Sequence, residues 1–173
     1  ELSEQIREAG DTAIDLTHDG QAVTFPPGNS FPEPIAFNVV PFCGSLIEDE
    51  LEETNEERKL RDESRKILEI DDLSVTATCV RVPVYTGHSL AITAGFQNPI
   101  TAQRVKDILS NVSAVVLEDI PTPLKSAGVD PRFVGRIRPD TVLENGINLF
   151  LSGDNLRKGA ALNAIQIAEL LLS

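Results

Sequence analysis

An arginine and a histidine seven residues apart, in Cys79-Val80-Arg81-Val82-Pro83-Val84-Tyr85-Thr86-Gly87-His88-Ser89, are the side chains here best suited to chemistry. Arg81 offers a planar fork of N–H donors that matches a carboxylate or phosphate. His88 is of the type that takes and returns a proton near neutrality. Their odd spacing puts them on opposite faces of one straight strand, although Pro83 and Gly87 permit a bend that brings them together. Each also has a plainer reading. An Arg beside an apolar run needs a carboxylate mate, which is either an internal Asp or Glu or a substrate. A lone His is often only packed.

Other constellations carry less. Glu56 and Lys59 are three apart on the first turns of a helix and face one way, beside unpaired N–H groups that favour anions; alternatively they are a surface ion pair. In Asp154-Asn155-Leu156-Arg157-Lys158-Gly159-Ala160-Ala161, Asp154 or Asn155 suits a helix N-cap. Arg132, Arg136 and Arg138 read as solvated charges on a strand. Cys43 and Cys79 stand 36 residues apart with no CxxC and no His at ligand spacing, which argues against a metal site. Cys79 lies in an apolar run and reads as a core thiol.

The elements that must position these residues follow from pattern. Residues 1–9 read as the tail of a helix, which implies a longer parent. They hold no basic or long apolar stretch, so no signal peptide is expected. Residues 10–45 are dense in Gly and Pro, with one strand expected over 35–40. Thr54-Asn55-Glu56-Glu57 fits a capping box and opens a surface helix to about Leu68. Residues 74–84 alternate as a strand, a second follows over 89–96, and Thr101 caps a helix with Val105, Ile108, Leu109 and Val112 on one stripe. Short strands are expected over 114–117, 133–137 and 147–151. A final helix is expected over 155–172, apolar almost all round, so that it must bury several faces. Strands in neighbouring runs without strict βαβ alternation give an α+β fold: a mixed, largely antiparallel sheet with helices packed on one face.

With 173 residues the chain is long enough for one domain with a core. A net charge of −12 repels nucleic acid and anionic lipid, and no apolar run reaches the roughly 20 residues of a membrane span. Residues 48–57 hold seven acidic residues and no basic one, read as a solvated loop and helix start. No GxGxxG or P-loop motif is present to cradle a pyrophosphate.

Taken together, several blocks resemble bacterial aspartate-semialdehyde dehydrogenases in order and spacing. They are Phe37-Asn38-Val39-Val40-Pro41, Glu56-Glu57-Arg58-Lys59, Glu63-Ser64-Arg65-Lys66-Ile67-Leu68, Thr78-Cys79-Val80-Arg81-Val82-Pro83-Val84, Gly87-His88-Ser89, Val134-Gly135-Arg136-Ile137-Arg138 and the run from Asp154 to Ala161. The resemblance spans 35–172 and implies the C-terminal substrate-binding and dimerisation domain over 1–173. It implies a cytoplasmic, NADP-dependent oxidoreductase of lysine, threonine, methionine and diaminopimelate biosynthesis, reducing L-aspartyl 4-phosphate to the semialdehyde and phosphate.

By that resemblance His88 is the general acid/base, Arg81 holds the substrate α-carboxylate, Glu56 meets its ammonium, Lys59 binds phosphate and Asn155 contacts the nicotinamide end of NADP. No metal is implied, and the partners are a second copy through the sheet face and the N-terminal NADP-binding domain, with the helix 155–172 packed on the latter. The family's nucleophile, in Asn-Cys-Thr, its Tyr-Gln-Ala-Val-Ser-Gly stretch and its glycine-rich nucleotide site are absent from these residues. The chain alone is therefore expected to be inactive, and neither Cys43 nor Cys79 fits the nucleophile. Two other readings are a non-catalytic dimerisation domain that kept the fold and the acylphosphate reductase of arginine biosynthesis.

Overall fold

A computed structural model describes residues 1–172, which divide into two compact units, 1–83 and 84–172. The first unit opens with helix α1 (Leu2–Ala9), whose buried side carries Gln5 and Ala9, followed by a 3-10 helix over Gly10–Thr17 that the turn-rich composition did not announce. Gln5 explains why no strand forms at 35–40. Its side-chain oxygen accepts from Ile35 N and Ala36 N, both at 2.9 Å. Asn38 then closes a turn on the Ile35 and Pro34 carbonyls, with Phe37 at φ 59°. Of that segment only Val40 pairs as a strand residue does, in an isolated bridge to Arg81.

Helix α2 (Asn55–Leu68) forms where its cap requires. Thr54 Oγ1 accepts from Glu57 N (3.3 Å) while Glu57 Oε2 accepts from Thr54 N (2.9 Å), so two orphan N–H groups are met reciprocally. The acidic run preceding it is drawn onto the helix, Arg58 pairing with Asp49 and Arg61 with Glu53 at 2.5 Å. The segment 74–84 is extended but is no ladder strand. Val75, Ala77 and Cys79 alternate with exposed Thr76, Thr78 and Val80 as the pattern requires, yet only Arg81 finds a partner strand residue. Alternation reports a half-buried extended chain; a strand also needs a neighbour for its N–H and C=O groups.

The second unit holds a four-stranded sheet in the order β1-β4-β3-β2, made of β1 (His88–Gly95), β2 (Val115–Leu117), β3 (Arg132–Pro139) and β4 (Gly146–Gly153). β4 runs antiparallel to both β1 and β3, and β2 joins β3 in parallel. The mixed, largely antiparallel α+β arrangement read from the pattern is the one found. Helix α3 (Ala102–Leu109), capped by Thr101, places Val105 and Leu109 on a core of Val134, Ile137, Ile147, Leu149 and Leu151. Alternation along β1 and β4 turns Ala91, Thr93, Asn148 and Phe150 to the opposite face. There they line a shallow depression with Arg136 and Arg138.

A bulge in β3 between Gly135 and Arg138 sets Arg136 at φ 56°. Gly135 is obligatory: a Cβ there would lie 1.8 Å from Glu118 O and 2.8 Å from Pro121 Cδ.

After the short helix α4 (Pro123–Ser126), the chain's last helix, α5, spans Leu162–Leu172 rather than starting at 155. A wide turn over Arg157–Ala161 precedes it, with five-residue bonds from Gly159 N to Asp154 O and from Ala161 N to Leu156 O. The Asp154 carboxylate caps this turn, accepting from Leu156 N and Arg157 N. Ile165, Ile167, Leu171 and Leu172 of α5 are exposed. Among the described residues, no helix is long and apolar enough to cross a membrane.

Candidate functional site

Glu56, Lys59 and Arg81 belong to the first unit. The backbone of Arg81 is fixed by two bonds with the buried Val40, Arg81 N to Val40 O at 2.8 Å and the reverse at 3.0 Å. Its guanidinium is exposed and lies over the Phe31 ring, 5.8 Å from the centroid. Among the described residues Arg81 forms no ion pair. Exposed as it is, the side chain needs no internal carboxylate to stay in the fold.

Glu57 is the residue that sequence reasoning passed over as a cap alone. Its Oε1 accepts from Cys79 N at 2.9 Å while Oε2 serves Thr54. One carboxylate therefore ties the start of α2, with Glu56 and Lys59, to the backbone two residues before Arg81. Those bonds, first from Thr54 and then from Cys79, hold the Glu57 carboxyl below its ordinary pKa. The capping-box spacing could have flagged its first bond; nothing in sequence could flag the second. Glu56 and Lys59 face each other at 3.6 Å on the exposed first turns of α2, as an ion pair that solvent screens.

Cys43 and Cys79 are unbridged. Burial is the largest cause pushing both thiols above their ordinary pKa; Glu56 and Glu57 act the same way, against the opposing pull of Arg81. A thiol so placed is a poor nucleophile at neutral pH.

His88 and Asn155 belong to the second unit. His88 is the first residue of β1, opposite Gly153 at the end of β4, with its side chain exposed. The turn before it depends on Gly87, which sits at φ +101° with Pro123 Cβ 3.3 Å from where a Cβ would be. Asn155 Oδ1 accepts from Gly87 N at 2.8 Å and from Thr86 Oγ1 at 3.2 Å.

Asp154 is buried and accepts three backbone N–H bonds, from Gly128 (2.8 Å), Leu156 (2.8 Å) and Arg157 (3.1 Å). These, led by the Gly128 bond, hold its carboxyl below the ordinary range. Arg132, given no role from sequence, donates to the Asp154 carbonyl at 2.9 Å, while Arg157 pairs with Asp130 at 2.6 Å.

A two-unit α+β chain of this kind is the fold of one half of the solved aspartate semialdehyde dehydrogenases. Enzyme II of Vibrio cholerae, solved in complex with ASA, superposes with a TM-score of 0.85 at 36% identity, covering 99% of this chain and 49% of that one. The chain belongs to the semialdehyde dehydrogenase dimerisation-domain family, whose model matches residues 1–158. The aspartate-semialdehyde dehydrogenase of Streptomyces akiyoshiensis is 57% identical over 171 residues, 99% of this chain and 51% of that protein. A more distant structure, the Candida albicans enzyme with NADP, reaches a TM-score of 0.65 at 28% identity over 79% of this chain and 45% of that one. The chain thus spans about half the length of the relatives it matches.

Proposed function

We propose that this chain is the substrate-binding and dimerisation half of an aspartate-semialdehyde dehydrogenase, acting in NADP-dependent reductive dephosphorylation of L-aspartyl 4-phosphate. A nucleotide-binding half outside these residues supplies the nucleophilic thiol. The observation that carries the reading is Arg81, a guanidinium set by its backbone and by Phe31, with no carboxylate of its own among the described residues. A fork so held is available to the carboxylate of a ligand.

In the proposed reaction the thiolate attacks the acyl carbon, the bond to the phosphate oxygen breaks and phosphate leaves as the thioester forms. His88 takes the thiol proton beforehand and holds it at an imidazole nitrogen. Arg81 grips the α-carboxylate with its fork. Glu56 balances the α-ammonium, and Lys59 meets the phosphate near the N-terminal turn of α2. The nucleotide fits this chain at one end only. Asn155 spends its oxygen on the Gly87 turn, and its amide nitrogen, without a partner among the described residues, suits a carboxamide oxygen, while no glycine-rich loop follows a strand here. NADPH, when bound, supplies the hydride that reduces the thioester. The exposed face of the sheet, with Ala91, Thr93, Asn148 and Phe150, joins a second copy, and the apolar α5 packs on the nucleotide-binding half.

Substrate choice tests the reading. The whole protein should oxidise aspartate semialdehyde in the presence of phosphate and NADP, and should turn over N-acetylglutamate semialdehyde at least ~100-fold more slowly, because the latter's α-nitrogen carries no charge for Glu56. The opposite preference would make it the acylphosphate reductase of arginine biosynthesis.

A further inference from the structure

Resting on the reading of His88 as the proton-transfer residue, we infer that Asn155 is a positioning residue whose side-chain oxygen holds the Thr86–Gly87 turn and so sets where the His88 imidazole stands. Among the described residues nothing hydrogen-bonds the His88 ring, and the side chain is exposed. Its place is inherited from its backbone. Three attachments fix that backbone: the pairing with Gly153, the 2.8 Å bond from Gly87 N to Asn155, and a chain of hydroxyls behind Ser89. In that chain Ser89 Oγ reaches Ser152 Oγ at 3.1 Å, Ser126 Oγ lies 3.1 Å from Ser152 Oγ, and Ser126 Oγ donates to Pro123 O at 3.2 Å. Ser126 and Ser152 are fully buried. The hydroxyls secure the residue after His88; the Asn155 oxygen secures the two before it.

Asn155 is itself on a rigid bracket, since the neighbouring Asp154 is tied by three backbone N–H bonds and by Arg132. The chemistry of its amide also fixes which end faces which way. Gly87 N–H and Thr86 O–H are met together only by an acceptor, so the oxygen faces the turn and the NH₂ group faces away. A ligand meeting Asn155 from the other side finds donors only. One side chain thus joins the place where a nucleotide carboxamide would bind to the turn that carries the base.

The test uses the whole protein without nucleotide and reads the pH-dependent alkylation of its nucleophilic cysteine by iodoacetamide, followed by mass spectrometry of that peptide. His88→Gln should slow alkylation at pH 7 by roughly 10-fold or more. Asn155→Ala should slow it by ~10-fold and displace its pH profile, although no nucleotide is present for the side chain to contact. Asn155→Asp, which keeps the acceptor the turn needs but loses the donors, should be alkylated faster than Asn155→Ala while raising the KM for NADP by ~10-fold. Asn155→Ser, whose hydroxyl falls short of Gly87, carries the same expectation as Asn155→Ala should that variant not fold. Wild-type alkylation in folded Asn155→Ala, with His88→Gln slow, would overturn the positioning role and leave the reading of His88 standing. Wild-type alkylation in His88→Gln would overturn that reading itself.

Discussion

Replacing Arg81 by Lys in the whole protein separates its two possible roles, because the structure sets very different costs on them. For the fold, little is at stake. The two backbone bonds to Val40 do not involve the side chain, no ion pair is broken among the described residues, and the contact over Phe31 is worth about 0.5–1 kcal/mol at an exposed site and survives in part with an ammonium. The melting temperature should therefore fall by no more than about 2–4 °C. For catalysis, the fork that grips a carboxylate by two parallel bonds becomes a point charge. Losing one charge-assisted bond and the fixed orientation should lower kcat/KM by roughly 10²-fold, about 2.7 kcal/mol. Both quantities should be measured on one preparation, by steady-state turnover of aspartate semialdehyde and by calorimetry. A variant with near-normal kcat/KM and a markedly lower melting temperature would refute the clamp and make Arg81 structural.

Other expectations follow from the same geometry. Gly135→Ala should destabilise the protein by at least about 2 kcal/mol, since its Cβ would enter the Glu118 carbonyl, and denaturant melts of this variant should show it. Glu57→Ala should cost about 1 kcal/mol through the cap and loosen the segment before Arg81, raising KM for the semialdehyde. Because the Glu57 carboxyl titrates below its ordinary 4.5, its stabilisation is complete above that pH and fades as pH falls through the folded value. An acid melt should therefore show wild type and Glu57→Ala converging below the folded value. The chain by itself should run as a dimer by light scattering, and Ala91→Arg on the exposed sheet face should make it a monomer; an unaffected dimer would put the interface elsewhere.

Much of the fold was legible wherever the cause was local. The cap of α2 is written in four consecutive residues, and β3 and β4 in alternating apolar runs, and both stand where read. The misread strands turn on partners far along the chain, one present and the others missing. Residues 35–40 do not extend because Gln5, 30 positions away, takes the N–H groups of Ile35 and Ala36. Residues 74–84 keep the period of a strand but lack a neighbour beyond Val40. The last helix is capped by Asp154, one of the two caps read from sequence, but its first turn over Arg157–Ala161 is wide and the regular helix starts only at Leu162. At the site, residue types and the family resemblance pointed to Arg81, His88, Glu56, Lys59 and Asn155. What spacing could not disclose is that Arg81 has no ion-pair mate among the described residues, that Glu57 reaches Cys79, and that Asn155 spends its oxygen on a turn 68 residues away.

The most direct test of the central claim is phosphate-dependent reduction of NADP by aspartate semialdehyde, measured on the whole protein, on its His88→Gln variant and on this 173-residue chain alone. Turnover that requires phosphate is expected in the whole protein, with a loss of roughly 10²–10⁴-fold in His88→Gln and none from the chain alone, whose two thiols are pushed up in pKa. Turnover by the chain alone, or an unimpaired His88→Gln enzyme, would contradict the claim.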